Sequence, residues 1–309
     1  MAATPALIKE LRELTGSGMS DCKKALDETG GDIKKAIEYL REKGLAAAAK
    51  KAGRIAAEGL VACIVDGDKA VAVEVNCETD FVAINADFKA YVDQIATQAL
   101  NSTAKTVEEF EAEKWALDTS LTVKDVLVNK IATIGENISI RRFEHFNKIT
   151  PGAIASYIHG GGKIGVVVEL NCTNKSDAVS EVGRNLGMQI AAMSPQFVSS
   201  ADVNEEYKVN EKAIIVAAIK NDESNAKKPD NVIEKMVEGR LNKQLKEICL
   251  LEQEYVKEPE LTVRQYLEKV SKEVGADISV ARFVRFEKGE GIEKKQEDFA
   301  EEVALAMKG

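Results

Sequence analysis

Few residues of this 309-residue chain are of types that make or break bonds, and their spacing argues against their doing so. Two histidines are present. His145 sits in a strand-like run whose matching position later in the chain is Arg285, and His159 stands beside a glycine cluster, where exposure is expected. Neither has the setting of a general base. The five cysteines, Cys22, Cys63, Cys77, Cys172 and Cys249, contain no C-x-x-C pair and no zinc-ligand spacing, so they read as reduced, mostly buried thiols. The stretch "GGGKIG" places Gly160, Gly162 and Gly165 at G-x-G-x-x-G spacing. A dinucleotide fingerprint follows a strand and opens a helix, whereas these glycines precede the strand-like run "IGVVVELNC", so a hairpin turn is expected. No G-x-x-x-x-G-K-[ST] phosphate loop occurs, and the carboxylates lie outside the apolar settings that tune acid–base groups. An enzyme is not expected, nor a cofactor or metal.

Lys and Arg number 42 against 51 Asp and Glu, a formal charge of -9, and no basic block stands out beyond Lys50-Lys51. Nucleic acid as a direct partner is disfavoured, because phosphate backbones need clustered cations. Aromatics are sparse, with a single Trp115, which removes base-stacking platforms as well. The first residues, "MAATPALIKELREL", are amphipathic without an apolar signal region, and no run approaches the ~18 apolar residues of a membrane span. A cytoplasmic address and no membrane partner are expected.

The elements that could position functional groups fall into four segments. Residues 4–43 read as three short helices: Leu7, Ile8, Leu11 and Leu14 form one stripe, Cys22, Ala25 and Leu26 a second, and Ile33, Ala36, Ile37 and Leu40 a third, with glycine corners between. "GLAAAAKKAGR" follows as a helical or hinge-like linker, giving a module of residues 1–50. Beyond it the chain repeats itself. "LTVKDVLVNKIATIGENISIRRFEHF" from Leu121 aligns without a gap to "LTVRQYLEKVSKEVGADISVARFVRF" from Leu261, and "VAVEVNC" ending at Cys77 matches "VVVELNC" ending at Cys172. An α+β fold of two duplicated half-domains, 51–147 and 148–286, is expected, each a small antiparallel sheet with helices on one side. The second copy carries an insertion near 200–258 whose apolar spacing suits an antiparallel helical hairpin, and 287–309 offers a closing helix with Phe299, Val303 and Met307 one turn apart.

One aromatic stands out against this frame. In "VEVNCETDFVAINADF", Val73 and Val75 alternate with Glu74 and Asn76 as in a half-buried strand, and Phe88, Tyr91, Val92, Ile95 and Ala99 recur at helical spacing. Thr79 or Asp80 would cap the intervening turn, leaving Phe81 in its first turn. Phe81 could be a hydrophobic staple that fixes how the chain enters the helix. A staple required by the shared fold should recur, yet the second copy reads "NCTNKSDAVSEV". An exposed aromatic with rigid backing suits a binding hot spot instead.

"LRELTGSGMSDCKKAL", "EVNCETDFVA", "IGENISIRR", "IHGGGKIGV", "EKMVEGR" and "RFEKGEGIEKK" together closely resemble the bacterial elongation factor Ts family. The likeness runs from near Leu7 to Met307, with T-D-F-V, Thr79 to Val82, as its most specific element. It implies a ubiquitin-associated-like three-helix module, a core of two related α+β halves, a helical hairpin and a C-terminal helical module. It also implies a guanine nucleotide exchange factor in protein biosynthesis, with elongation factor Tu as partner and no bond-making chemistry. By this resemblance Asp80 and Phe81 enter the partner's GTPase domain near its magnesium and phosphate site. Lys9, Arg12 and Met19 touch the same domain, Ile134, Gly135 and His159 help hold the partner, and Val256 in "EYVKEP" matches a further contact. A dimer of heterodimers is open. Residues 4–43 taken alone would also suit a ubiquitin-associated-type binding adaptor.

Overall fold

The computed structural model describes residues 3–149, 151–173, 177–222 and 228–293. The chain opens with helices α1 (Pro5–Thr15), α2 (Met19–Glu28) and α3 (Ile33–Lys51). Thr4 caps α1 by accepting from Leu7 N–H, Gly16 closes it in the left-handed region, and Asp32 caps α3 through Lys35 N–H. Leu11, Cys22, Ala25, Leu26 and Ala36 form the small core, with Leu7 and Ile8 packed against it. Leu14, expected in the same stripe, is 61% exposed. Of the two readings of "GLAAAAKKAGR" the helical one applies through Lys51: α3 runs without a break and carries its second half away from the module.

The first half of the core comprises β1 (Glu58–Asp66), β2 (Lys69–Cys77), α4 (Asp80–Ile84), α5 (Ala86–Leu100), α6 (Val107–Ala112), β3 (Lys114–Trp115), β4 (Asp118–Thr122), α7 (Val123–Ile134) and β5 (Ser139–Asn147). The second comprises β6 (Gly152–His159), β7 (Ile164–Asn171), α8 (Asp177–Met193), α9 (Glu205–Asn221), α10 (Asp230–Ile248), β8 (Glu254–Tyr255), β9 (Glu258–Thr262), α11 (Val263–Val274) and β10 (Ser279–Glu287). The strand–helix–strand order expected of each half gains a leading strand, β1 or β6. Both sheets are antiparallel, in the orders β1-β2-β5 and β10-β7-β6. The duplication reaches local detail. Thr122 and Thr262 begin α7 and α11 with capping boxes, Gly135 and Gly275 end them in the left-handed region, and a bulge falls between Glu74 and Val75 as between Val280 and Arg282.

Each sheet packs its helices on one face and the other sheet on its second face. Val71, Val73 and Val75 of β2 meet Tyr91 and Ile95 of α5, while Ala70 and Ala72 share a cluster with Val61, Phe146, Val167 and Phe286. Glu74 and Asn76 therefore differ from the half-buried expectation: both are fully buried, because the second sheet covers the face that the alternation assigns to water. Glu74 accepts from Arg142 Nε at 2.6 Å, Arg141 Nη1 at 2.9 Å and Gly289 N–H at 2.7 Å. Glu169 in β7 is its counterpart, accepting from Arg282 Nε and from Ile149 N–H, each at 2.8 Å.

Within the insertion expected at 200–258, α9 and α10 pack through Ile215, Ile219, Val237 and Leu241, and Gln244 donates to Glu211 at 2.8 Å. "GGGKIG" forms part of the β6–β7 turn, with Gly162 O accepting from Val61 N–H of β1 at 2.8 Å. The expected closing helix, with Phe299, Val303 and Met307, lies outside the described residues. Among the described residues no helix is long and apolar enough to cross a membrane.

Candidate functional site

The central strand β2 delivers the chain to the surface at Cys77, and the next seven residues form a short projecting turn. Thr79, not Asp80, is the cap of α4: its hydroxyl accepts from Val82 N–H at 3.3 Å, and Asp80 falls in the first turn. Asn85 then caps α5 by accepting from Asp87 N–H at 2.7 Å. With both ends pinned, Ala83 is buried and Val82 half-buried against the first-half core, which directs Phe81 outward. Phe81 is 78% exposed and Ile84 69%, so Phe81 does not act as an internal staple.

The turn is braced from the loop between α7 and β5, the "IGEN" stretch. Glu136 accepts from the N–H groups of Glu78 and Thr79 at 3.0 and 3.1 Å and from the Thr79 hydroxyl at 2.6 Å. In return, Glu78 accepts from Asn137 N–H at 2.5 Å and pairs with Arg54 at 3.5 Å, while Asn137 Nδ2 donates to Arg54 O at 2.8 Å. Cys77 Sγ donates to Thr79 O at 3.2 Å, and burial first, then the Glu136 and Glu58 carboxylates, push this thiol up to about 12. The thiol is a structural donor and not a nucleophile.

Ile134 packs against the first-half core and Gly135 turns the chain at φ 89°, so these two residues join Thr79, Asp80, Phe81 and Val82 in one neighbourhood. The other expected residues stand elsewhere. Lys9 and Arg12 are exposed on α1, Lys9 pairing with Glu13 at 3.8 Å, and Met19 opens α2 at 62% exposure. His159 is exposed at the end of β6, its Nδ1 3.0 Å from Tyr157 Oη. Val256 is exposed between β8 and β9, where its N–H donates to Gln189 at 2.8 Å. Glu78, Glu136, Asn137 and Ile84 were not singled out from sequence. The available signal was the repeat: Glu78 and Glu136 face Thr173 and Ala276 in the second copy.

Phe81 and Ile84 stand exposed on the tip, and a cavity of about 890 Å³ lies away from it in the second half against α11, lined by Thr173, Arg264, Lys272 and Gly275. Among the described residues no group of three or more His, Cys, Asp or Glu side chains could hold a metal. An exposed apolar apex on a turn held by hydrogen bonds suits contact with another macromolecule.

Comparison with known proteins agrees on one family. The family model described as "Elongation factor TS" matches residues 78–290, a span that begins at the tip and ends beyond β10. Elongation factor Ts of Clostridium kluyveri is 54% identical over 309 residues, covering 99% of each chain. The Clostridium perfringens protein of that name is 54% identical over 303 residues, 97% of this chain and 98% of the relative, and that of Clostridium novyi is 52% identical over 306 residues, 98% of both. An exposed phenylalanine on a braced turn, an internally duplicated core and near full-length identity above one half lead to one conclusion: the chain belongs to the elongation factor Ts family.

Proposed function

We propose that this translation factor binds elongation factor Tu and promotes GDP release without making or breaking a bond, Phe81 entering beside the partner's magnesium and phosphate site. The observation that carries this reading is Phe81 itself, a large apolar side chain 78% exposed on a turn pinned at both ends. Such a residue costs solvation in the free chain and recovers it only when covered. By linkage, a protein that binds nucleotide-free partner more tightly than the GDP form must weaken GDP by the same factor. Burying one Phe supplies about 1.5 to 3 kcal/mol, or about one to two decades, so the rest must come from disturbed magnesium coordination and a wider interface.

That wider interface is assigned as follows. Asp80 flanks the wedge; Lys9, Arg12 and Met19 of the 1–50 module contact the same GTPase domain, and Leu14, like Met19, is an exposed apolar side chain of that module. Ile134 and Gly135 adjoin the tip, while His159 and Val256 hold a second region of the partner from the 148–286 half. Residues 287–309 reach another face. A dimer of heterodimers draws support from α9, whose Val209, Ala213, Ile214, Ala217 and Ala218 leave an exposed apolar arc opposite the one packed on α10. Protein surfaces, rather than nucleic acid or membrane, are the partners in this reading, and its site of action is the cytoplasm.

The test is stopped-flow release of fluorescent GDP from elongation factor Tu, paired with thermal melts. Phe81→Ala should slow saturated release by about tenfold or more while the melting temperature moves little, because no core contact is lost. A core Phe→Ala change would instead cost about 3 to 5 kcal/mol of stability. Normal release per folded molecule of Phe81→Ala would remove Phe81 from the site.

A further inference from the structure

The turn that carries Phe81 is gripped by a carboxylate more than fifty residues away in sequence. One oxygen of Glu136 takes the N–H groups of Glu78 and Thr79, and the other takes the Thr79 hydroxyl at 2.6 Å. The direction of every bond is fixed by chemistry: an amide N–H only donates and an ionised carboxylate only accepts. The Thr79 hydroxyl spends its hydrogen on Glu136 and so turns a lone pair toward Val82 N–H, the contact that starts α4. Glu136 therefore acts on the turn twice, once on its backbone and once through its cap. Glu78 locks the grip from the other side by accepting from Asn137 N–H.

Among the described residues the second half closes the matching loop without such a carboxylate. At the matching place in the second half, Gly275 ends α11 as Gly135 ends α7, but Ala276 stands where Glu136 stands and Thr173 where Glu78 stands. There Ser271 satisfies the loop: its carbonyl accepts from Ala276 N–H at 3.2 Å and its hydroxyl accepts from Ile278 N–H at 3.0 Å. One fold thus ends the same helix with and without the carboxylate, and the carboxylate appears only in the half that presents Phe81.

We infer that Glu136 is a positioning residue for the exchange tip, holding the Glu78–Thr79 backbone and the Thr79 cap so that Phe81 leaves the surface in one fixed direction. The inference rests on the proposed wedge role of Phe81. Without Glu136 the tip remains attached through Ala83 and Asn85 but samples several directions, and only some of them enter the partner. The loss should therefore fall on the saturated rate more than on capture, because the surrounding contact surface is intact.

Both arms use the full chain as wild type, Glu136→Ala, Glu136→Gln, Phe81→Ala and the double variant. In the free protein, amide hydrogen exchange at Glu78 and Thr79 should quicken in Glu136→Ala. In GDP release from elongation factor Tu, Glu136→Ala should lower the saturated rate about tenfold while the half-saturating concentration stays within about threefold. Glu136→Gln keeps one acceptor oxygen for the two backbone N–H groups but turns an amide N–H₂ toward the Thr79 hydroxyl, so its saturated rate should fall between those of wild type and Glu136→Ala, and a full wild-type rate in a folded Glu136→Gln overturns the role if Glu136→Ala fails to fold. In the Phe81→Ala background, Glu136→Ala should add nothing, since a residue acting through Phe81 has nothing left to aim. An unchanged saturated rate in Glu136→Ala, or equal slowing in both backgrounds, overturns the positioning role while leaving the wedge standing. Wild-type release by Phe81→Ala overturns the wedge, and the positioning role with it.

Discussion

At the scale of single residues, the tip shows how a chain keeps a phenylalanine in water. Val82 and Ala83, which follow it, are anchored inward and the turn's two ends are capped by Thr79 and Asn85, so hydrophobic collapse of Phe81 would require breaking the turn. Thr79 and Asp80 should separate cleanly on substitution. Thr79→Ala removes the cap and the link to Glu136, costing on the order of 1 kcal/mol and slowing GDP release; Asp80→Ala leaves the cap in place and should barely shift the melt. Equal destabilisation by both would show that the cap is shared. The thiols permit a second test. None of the five is in a disulfide, and burial pushes Cys63 and Cys77 up to about 12 and Cys249 up to about 11, so the reactive thiolate is scarce at these three sites at about pH 8. Alkylation of these three in the native chain should be slow and become fast only in denaturant; rapid labelling of one of them in the folded protein would contradict the packing.

Among the elements, α3 ties the N-terminal module to the core. Gly44 lies against Val128 and Ala132 of α7, and Arg41 pairs with Asp125 at 2.6 Å, so the helix that begins as a module core element ends as a cover for α7. Among the described residues the twin helix α11 has no such cover: Glu268 and Lys272 stand where Val128 and Ala132 stand, and charged side chains do not form an apolar seat. A truncation removing residues 1–51 should therefore melt lower than one removing residues 1–28, which keeps α3; identical melts would show that the docking contributes nothing. Asp125 adds a pH signature. Burial opposes its charge, but hydrogen bonds from the Thr122 N–H and hydroxyl and the Arg41 guanidinium outweigh it and hold the carboxyl below its ordinary range. A depressed folded-state value contributes stability above the unfolded value of about 3.9, and that contribution is lost as pH falls through the folded value. The melting advantage of wild type over Asp125→Asn should be full at about pH 7 and shrink toward about pH 3, whereas the matching capping box at Gln265 carries no charge to titrate.

Across the whole molecule, the two halves are joined by a pseudo-twofold exchange of side chains. Arg142 of the first half stacks 4.2 Å over Phe286 of the second and donates to Glu287 O, while Arg282 of the second stacks 4.2 Å over Phe146 of the first and donates to Asn147 O. Each arginine is held by a fully buried glutamate of the neighbouring strand in its own half, Glu74 or Glu169. Such a junction makes one body of two sheets; in the function proposed above, contacts of the second half with the partner would steady Phe81 in the first. Glu74→Ala removes the shared acceptor of Arg141 Nη1, Arg142 Nε, Asn76 Nδ2 and the Gly289 N–H, while both arginines keep bonds to Glu290, and should cost about 1 to 3 kcal/mol, read as a lower denaturation midpoint. A near-neutral result would mean that water replaces the carboxylate at the junction.

Sequence by itself determined what is set by near neighbours. The repeat announced two α+β halves, helical spacing placed α5, and the misplaced glycines of "GGGKIG" read correctly as a turn. These features depend on residues a few positions apart, whose periodicity and capping chemistry are complete in the local chain. Tertiary structure alone decided which faces are wet. Glu74 and Asn76 alternate as solvent-facing residues of a strand, and only the second sheet buries them. Phe81 was equally suited to a staple or an exposed apex until the inward packing of Val82 and Ala83 turned it outward. Glu136 carries no local mark of its role, because its partners Glu78 and Thr79 are 58 and 57 residues away and meet it only after α5 to α7 have folded back on the sheet. A pattern can state that a side chain is apolar or charged; which surface arrives to cover it is a property of the assembled chain.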